Sequence, residues 1–384
     1  MADAGAAAAA GATAAAASTS AAHEPPARRN GAPEPEPELE PRARPTFRLM
    51  GLGAIGRWTP IVEDAGYSPA ADGDAAVDFV YQNSVGVRRE WKAAHEGAGV
   101  WNQLSGMSCM EDKACLAQVQ RRMSVPVLRS EVVAGDAFRD WCEAEGVATG
   151  ELVWMVKDSS ANGGADMWVM GAQNVAEVCA QVVADRTYVC QQYVSQPALW
   201  KGRKYHLRSF AVITADLQCF LHDTMFLIPA AQQYTLDPAS LGNTHVHLTN
   251  AAINKHDPEF PGLIPVQLME QNPDQWGKML AAVADLTKAC SPFLKSQRSP
   301  HHFECIGFDF IPDGGATGEL WLIEANRMPG LSADGYPNSE EVNDVYHAIC
   351  KDIFNLLVRP AVRKTRLFMR CHFLMETEHL PRQA

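Results

Sequence analysis

The sequence predicts an α+β fold, with antiparallel sheets and flanking helices behind a disordered N-terminal tail. Three observations predict it. Segments with period-two apolar alternation recur through the chain, several joined by glycine-containing turns. Amphipathic helical stretches fall between them, at residues 108–123, 138–146, 274–290 and 340–357. The first 45 residues have a different composition: alanine fills 14 of the first 22 positions, and seven prolines follow between Pro25 and Pro45.

The most informative stretch is His302–Gly330. Gly314, Gly315 and Gly318 mark a turn between two alternating strands. Ile306, Phe308 and Phe310 share one face, as do Trp321, Ile323 and Ala325. Aligning these faces pairs Phe308 with Ala325 and Phe310 with Ile323. The same register sets Asp309 opposite Glu324 and Gly307 opposite Asn326, and a one-residue slip would break the apolar and polar pairings together. Asp309, Glu324 and Asn326 then share a face cleared by a glycine. Three hard oxygen donors suit Mg²⁺, which fills its octahedron with water and phosphate oxygens. The bland alternative is the solvated face of an ordinary hairpin.

At 384 residues the chain has room for about two to three domains. Its 47% hydrophobic content allows a sizeable core. No run approaches the roughly 18 apolar residues of a membrane span. The net charge of −12 argues against a broad nucleic-acid surface. The 10 cysteines show no CxxC or zinc spacing, as expected of free thiols in a reducing compartment. His245 and His247 are spaced as two ligands on a strand, with no third ligand nearby in sequence.

In order, the tail carries Glu34, Glu36, Glu38 and Glu40 interleaved mostly with proline, and cannot bury enough surface to offset its ordering entropy. Arginine is absent before Arg28, which favours disorder over a transit peptide. Phe47–Gly56 reads as a strand and turn; its GxGxxG leads into Trp58-Thr59-Pro60, a poor helix continuation, so no dinucleotide fingerprint is expected. Ala76–Gln82 is a strand. In the helical stretch after Ser108, Met110, Leu116, Val119 and Met123 form the buried side, and Lys113 follows two acids. Residues 152–170 read as strand, loop, strand: Lys157 closes the first strand, and the loop Asp158–Asp166 is suited to cover phosphates with backbone N–H groups, although it is no P-loop. Asn174–Asp185 is a short helix. Thr187–Val194 is an apolar strand holding Gln191 and Gln192, whose amides suit either an adenine edge or neighbouring backbone. In Lys201–Thr214, alternation sets Lys204, His206 and Arg208 on one face, where lysine offers a point charge and arginine a fork for carboxylate or phosphate. Leu217–Ile228 is one further strand, and Thr244–Asn250 adds polar groups near a strand end. Asn338 or Ser339 caps the helix Glu340–Leu357, and the basic segment after Arg359 packs loosely.

These segments, in this order, resemble the tubulin–tyrosine ligase-like family, a branch of the ATP-grasp ligases. The resemblance runs from about Asn102 to Leu357 and rests on GFDF with WLIEAN and PG, on QQYV with KGRKYHLRSF, and on HLTN. It implies an ATP-grasp fold and ATP- and Mg²⁺-dependent ligation of a free amino acid to a protein carboxylate through an acylphosphate, as a glutamylase, glycylase or tyrosine ligase. The expected acceptor is the tubulin C-terminal tail, met by a monomeric cytoplasmic enzyme near microtubules or cilia. Residue by residue, the resemblance implies that Asp309, Glu324 and Asn326 hold Mg²⁺. It sets Lys113, Lys157 and Lys204 at the nucleotide, and Gln191, Gln192, Tyr193 and Val194 at the adenine. His206, Thr249 and Asn250 also border the nucleotide, and Arg208 orients the amino-acid carboxylate. The chain departs from the family at His206, where aspartate is usual, and near His222, where FLHDT replaces YxRxG. The loop SSANGGADM also lacks the usual basic glycine loop. These departures define the alternative, a catalytically inactive nucleotide- or tubulin-binding module of the same fold. A small-molecule ATP-grasp ligase fits less well, given the long Gly242–Gln275 insertion. The expected domains are the tail (1–45), an N-terminal α/β domain (46–150), the central and C-terminal ATP-grasp domains (151–360) and a C-terminal tail (361–384).

Overall fold

The computed structural model describes residues 44–71, 76–83, 99–161, 163–294, 300–358 and 371–374. The chain divides between Ala43 and Arg44, so nearly all of the predicted tail lies outside the described residues. A small parallel sheet comes first, in the order β2-β1-β3-β4: β1 (Thr46–Met50), β2 (Ser68–Pro69), β3 (Phe79–Gln82) and β4 (Val100–Trp101). Helix α1 (Leu52–Asp64) follows β1 directly, which corrects the expectation of a turn with no helix. Pro60 lies inside it and removes a backbone hydrogen bond. Tertiary burial outweighs that loss: Trp58, Ile61 and Val62 are buried, and Trp58 packs on Tyr81 with centroids 4.4 Å apart. Gly51 makes the junction at φ 96°, where an added Cβ would lie 2.5 Å from the Asn83 carbonyl oxygen.

The single helix predicted after Ser108 is split into α2 (Ser108–Glu111) and α3 (Lys113–Gln120). Asp112 is extended between them, and its carboxylate accepts from the Cys115 N–H at 2.8 Å, capping α3. Met110, Leu116 and Val119 are buried as expected, with Met123 packed partly against them. A second, antiparallel sheet has the order β5-β8-β6-β7. It is built from β5 (Ser130–Ala134), β6 (Trp154–Asp158), β7 (Met167–Met170) and β8 (Thr187–Gln192), with α4 (Phe138–Ala144) and α5 (Val175–Gln181) between strands. Those helices cover one face, where Phe138, Cys142 and Val178 meet Trp154, Val156 and Tyr188. Period two turns Met155 and Lys157 the other way.

The third sheet has eight strands. It comprises β9 (Leu199–Trp200), β10 (Arg203–Thr214), β11 (Cys219–His222), β12 (Thr224–Pro229), β13 (Ile264–Gln267), β14 (Phe303–Pro312), β15 (Leu320–Arg327) and β16 (Cys371–Leu374). Strand β10 is the spine, with β14 along one edge and β12 then β11 along the other. The one strand predicted over 217–228 is therefore two, interrupted at Asp223; across the break the partners change from Arg208↔Phe226 to Ala211↔Leu221, a register shift of two. Of Thr244–Asn250, the first four residues form a helical turn, α6 (Thr244–His247), because the Asn243 side chain accepts from the His245 N–H. Helices α7 (Ala251–Asn254), α8 (Leu268–Gln271), α9 (Pro273–Cys290) and α10 (Ser339–Ile353) complete the α-helices of the described residues. Within the predicted C-terminal tail, β16 pairs with β11.

One face of this sheet packs on α9: Leu207, Ala211, Ile306, Phe308, Phe310, Leu322 and Ala325 meet Met279, Val283 and Leu286. Part of the other face, including Phe210, Phe226, Phe303 and Cys305, packs on α1 and α10. The remainder faces the second sheet across a cleft. Asn338 is the N-cap residue of α10, as expected, but its side chain makes no capping bond: its amide instead donates to Leu263 O at 2.7 Å and accepts from Leu263 N–H at 3.3 Å. Among the described residues, no helix is long and apolar enough to cross a membrane.

Candidate active site

Every residue of β14 is buried, so its two charged residues need partners. Glu304 Oε2 accepts from Arg327 Nε at 2.7 Å and from the Leu104 N–H at 3.1 Å. Asp309 stands between Arg208 of β10 and Glu324 of β15, each its direct neighbour across the ladder. Three strands thus lay a cation and two carboxylates in one row. The Asp309–Glu324, Gly307–Asn326 and Phe308–Ala325 pairs form as alternation predicts. The Phe310–Ile323 pair does not. The register slips between Asp309 and Phe310, Phe310 meets Leu322, and Ile323 is the surplus residue. This bulge sends Leu320 and Leu322 into the core and leaves Ile323 and Glu324 both on the cleft. The Ile323 carbonyl is left facing Lys157, whose Nζ donates to it at 3.4 Å.

Arg208 grips Asp309 with both arms of its fork: Nη2 donates to Oδ2 at 2.7 Å, and Nε donates to Oδ1. Asn326 Nδ2 donates to the same Oδ2 at 3.1 Å. Burial pushes the Asp309 carboxyl up, but Arg208, His206 and Asn326 outweigh it and hold the group below the usual carboxylate range. Gly307 makes room for this fork. A Cβ there would lie 3.0 Å from both Arg208 Cδ and Pro329 Cβ. Gly307→Ala is expected to displace the Arg208–Asp309 pair and to lower stability by about 1–3 kcal/mol through overpacking, read by urea denaturation. An unchanged midpoint would mean the pocket gives without cost.

The cleft is open to solvent, and the free space within it, counting that open to solvent, is about 530 Å³. Lys157, Gln191, Gln192, Tyr193, Val194, Lys204, His206, Thr249, Asn250, Asp309 and Glu324 all line it. Lys113, Arg208 and Asn326 do not. Lys113 donates to Ala161 O in the Asp158–Asp166 loop, and Arg208 and Asn326 act on Asp309. Described residues of that loop do not line the cleft: Asp158 accepts from the Ser160 N–H at 2.7 Å and from Arg186 at 2.8 Å, while Gly164 packs against Asn250 and Ile253. Gln191 braces a lysine, its Oε1 accepting from Lys157 Nζ at 2.9 Å and its Nε2 donating to Ser130 Oγ at 3.2 Å. Lys204 Nζ lies 3.9 Å from the centroid of the Tyr193 ring. Burial pushes Lys157 down, and burial with repulsion from Lys157 pushes Lys204 down to about 7.

Leu128, Met155, Met167, His247, Leu248, Ile311 and Ile323 also line the cleft and were not anticipated. Alternation offered one signal: Met155 is two residues before Lys157, and Met167 pairs with Lys157 across the ladder. His247 is fixed by the Tyr193 hydroxyl, 2.8 Å from its Nδ1, and burial together with Lys204 pushes its imidazole down to about 4. No zinc site forms at His245 and His247. Among the described residues no three His, Cys, Asp or Glu side chains are placed to hold an ion by themselves.

The family model for the tubulin-tyrosine ligase family matches residues 93–260 and 266–366, well over half of the chain. The protein belongs to the tubulin-tyrosine ligase family. Among relatives of this tubulin-tyrosine ligase family member, a probable alpha-tubulin polyglutamylase, Ttll1 of Tetrahymena thermophila, is 28% identical over 230 residues, 53% of this chain and 55% of that protein. A probable tubulin–tyrosine ligase of Schizosaccharomyces pombe is 25% identical over 171 residues, 43% of this chain and 41% of that protein. The chain thus spans about half the length of the curated relatives it matches. The crystal structure of the C-terminal domain of K. lactis Pby1, described as an ATP-grasp enzyme interacting with the mRNA decapping enzyme Dcp2, superposes with a TM-score of 0.60 at 16% identity. That match covers 87% of this chain and 100% of the other, and the shared fold is ATP-grasp. The predicted family and fold class are therefore correct, with one amendment: the first, small sheet is parallel.

Proposed function

We propose that this member of the tubulin-tyrosine ligase family is an ATP- and Mg²⁺-dependent ligase that joins a free amino acid to a protein carboxylate, with the acidic C-terminal tail of tubulin as acceptor. One observation carries the proposal: Asp309 and Glu324, adjacent in the row that Arg208 begins, line a cleft that also holds two buried lysines, Lys157 and Lys204. The donor set fits magnesium. Asp309, Glu324 and the Asn326 amide oxygen are hard ligands too few to close a shell, as expected of an ion that arrives with phosphate oxygens and water. When bound, the ion supplies charge neutralisation at the transferring phosphoryl group.

The chain's own residues do the rest by positioning and charge. Lys157 and Lys204 meet the phosphates, and Lys113 supports the neighbouring loop. Met155, Met167, Leu128 and Ile323 offer apolar surface to the base, with Gln192, Tyr193 and Val194 at its edge and Thr249 and Asn250 at the nucleotide. Arg208 orients the amino-acid carboxylate. An acceptor carboxylate oxygen attacks the γ-phosphorus and ADP departs. The amine then attacks the acyl carbon, phosphate leaves, and the amine proton is lost to solvent. The working site is cytoplasmic, at microtubules or cilia.

Lys204 makes the reading measurable without turnover. A nearby triphosphate raises its pKa from about 7. Nucleotide binding at pH 8 is therefore expected to take up close to one proton, and affinity to fall as pH rises through 7, where free Lys204 loses its charge. Calorimetry in buffers of different ionisation enthalpy reads this; a buffer-independent enthalpy would remove Lys204 from the phosphates.

The deciding experiment is ATP-dependent incorporation of labelled glutamate, glycine and tyrosine into microtubules by the purified protein. Incorporation of any of them supports the ligase and names its amino acid. Nucleotide binding with no incorporation supports the second reading, an inactive binding module, which the imidazole at position 206 and the engagement of Asp309 by Arg208 favour.

A further inference from the structure

His206 is the one polar side chain on the cleft face of β10 to which the proposed reaction gives no task. It is 4% exposed. Its Nδ1 lies 2.7 Å from Thr249 Oγ1. Its Nε2 is buried, has no hydrogen-bond partner among the described residues, and lies 3.5 Å from Asp309 Oδ1. An unmet buried nitrogen destabilises the fold unless a ligand satisfies it.

The tautomer follows from these distances. With the proton on Nε2, the nearby acceptor would be Asp309 Oδ1, which at 3.5 Å is too far for a hydrogen bond and is already held by Arg208 Nε. With the proton on Nδ1, it is donated to Thr249 Oγ1, and the Nε2 lone pair points beside the Asp309 carboxylate. Imidazoles that bind metals are held in this way, one nitrogen fixed by a hydrogen-bond acceptor and the other free for the ion. Two donors at right angles, each about 2.1 Å from one ion, lie about 3 Å apart, so Nε2 and Oδ1 are within a small side-chain movement of sharing one. Such an ion would displace Arg208 Nε from Oδ1.

We propose that His206 Nε2 and Asp309 Oδ1 share the nucleotide-bound metal, with the nucleotide's own oxygens completing its shell, giving this site a preference for a first-row transition ion such as Mn²⁺ over Mg²⁺. The inference rests on the cleft being a metal–nucleotide site and refines which metal it takes. The chemistry is donor softness: an imidazole nitrogen in an otherwise oxygen shell favours transition ions, while magnesium favours oxygen alone.

The test uses the full chain with Mn²⁺ and a non-hydrolysable ATP analogue. Electron spin-echo envelope modulation is expected to show a directly coordinated nitrogen that changes on ¹⁵N-histidine labelling and is absent from His206→Gln and His206→Asp. In His206→Asp, the preference for Mn²⁺ over Mg²⁺ is expected to fall about tenfold or more, since an oxygen donor replaces nitrogen. Bound Mn²⁺ with no nitrogen coupling in the wild type overturns the proposal while leaving the metal–nucleotide reading intact. Nitrogen coupling that persists in both variants assigns it to another histidine and also overturns it. Absence of Mn²⁺ binding with or without nucleotide overturns both.

Discussion

Glu324→Gln is expected to reduce ATP turnover about a thousandfold, the scale set by removing one preorganised charge-stabilising group, while the protein stays folded. Asp309→Asn should lose as much activity, yet the two variants should differ in stability. Asp309 is 3% exposed and receives two bonds from Arg208 and one from Asn326. Neutralising it leaves a largely buried guanidinium uncompensated, at a cost of about 3–5 kcal/mol. Glu324 is only half-buried and is held in no ion pair among the described residues, so its amide should unfold near the wild-type denaturant midpoint. Turnover assays with urea denaturation on both variants separate the two effects. Wild-type turnover in Glu324→Gln would remove the proposed metal site.

Arg208→Lys is expected to raise the KM for the amino acid about ten- to a hundredfold, the worth of one lost charge-assisted hydrogen bond, with nucleotide affinity nearly kept. Lysine preserves the charge but not the fork, and only the fork spans both oxygens of a carboxylate. The pairing with Asp309 already displays that bidentate geometry. Steady-state kinetics with the amino acid found by the incorporation assay gives the answer; an unchanged KM would move carboxylate recognition elsewhere in the cleft.

Much of this site was legible before any fold was known. Asp309, Glu324 and Asn326 were found because strand side chains repeat every second residue, and Lys204, His206 and Arg208 for the same reason. Gln191 shows where that reasoning stopped. Its amide was open to an adenine or to backbone, and it is used by Lys157 from a strand 34 residues earlier. The helix Leu52–Asp64 was missed because Pro60 is a local penalty, whereas the burial of Trp58 against Tyr81 is a gain that local pattern does not display. The bulge at Ile323 was missed for a related reason: the apolar run Trp321–Ile323 satisfies either register until the core has chosen which of its residues to bury.

What the sequence determined by itself was membership: which side chains share a face, and so which acids, amides and cations can meet. That follows from the two-residue repeat of an extended chain, a property of each strand alone. The tertiary structure decided partnership. Arg208 binds Asp309 across about 100 positions of sequence, His206 leans on Thr249, and Lys157 reaches the bulged carbonyl of Ile323. Those neighbours are fixed by the order of strands in the sheet and by the packing of its two faces, and no short stretch of chain carries that information.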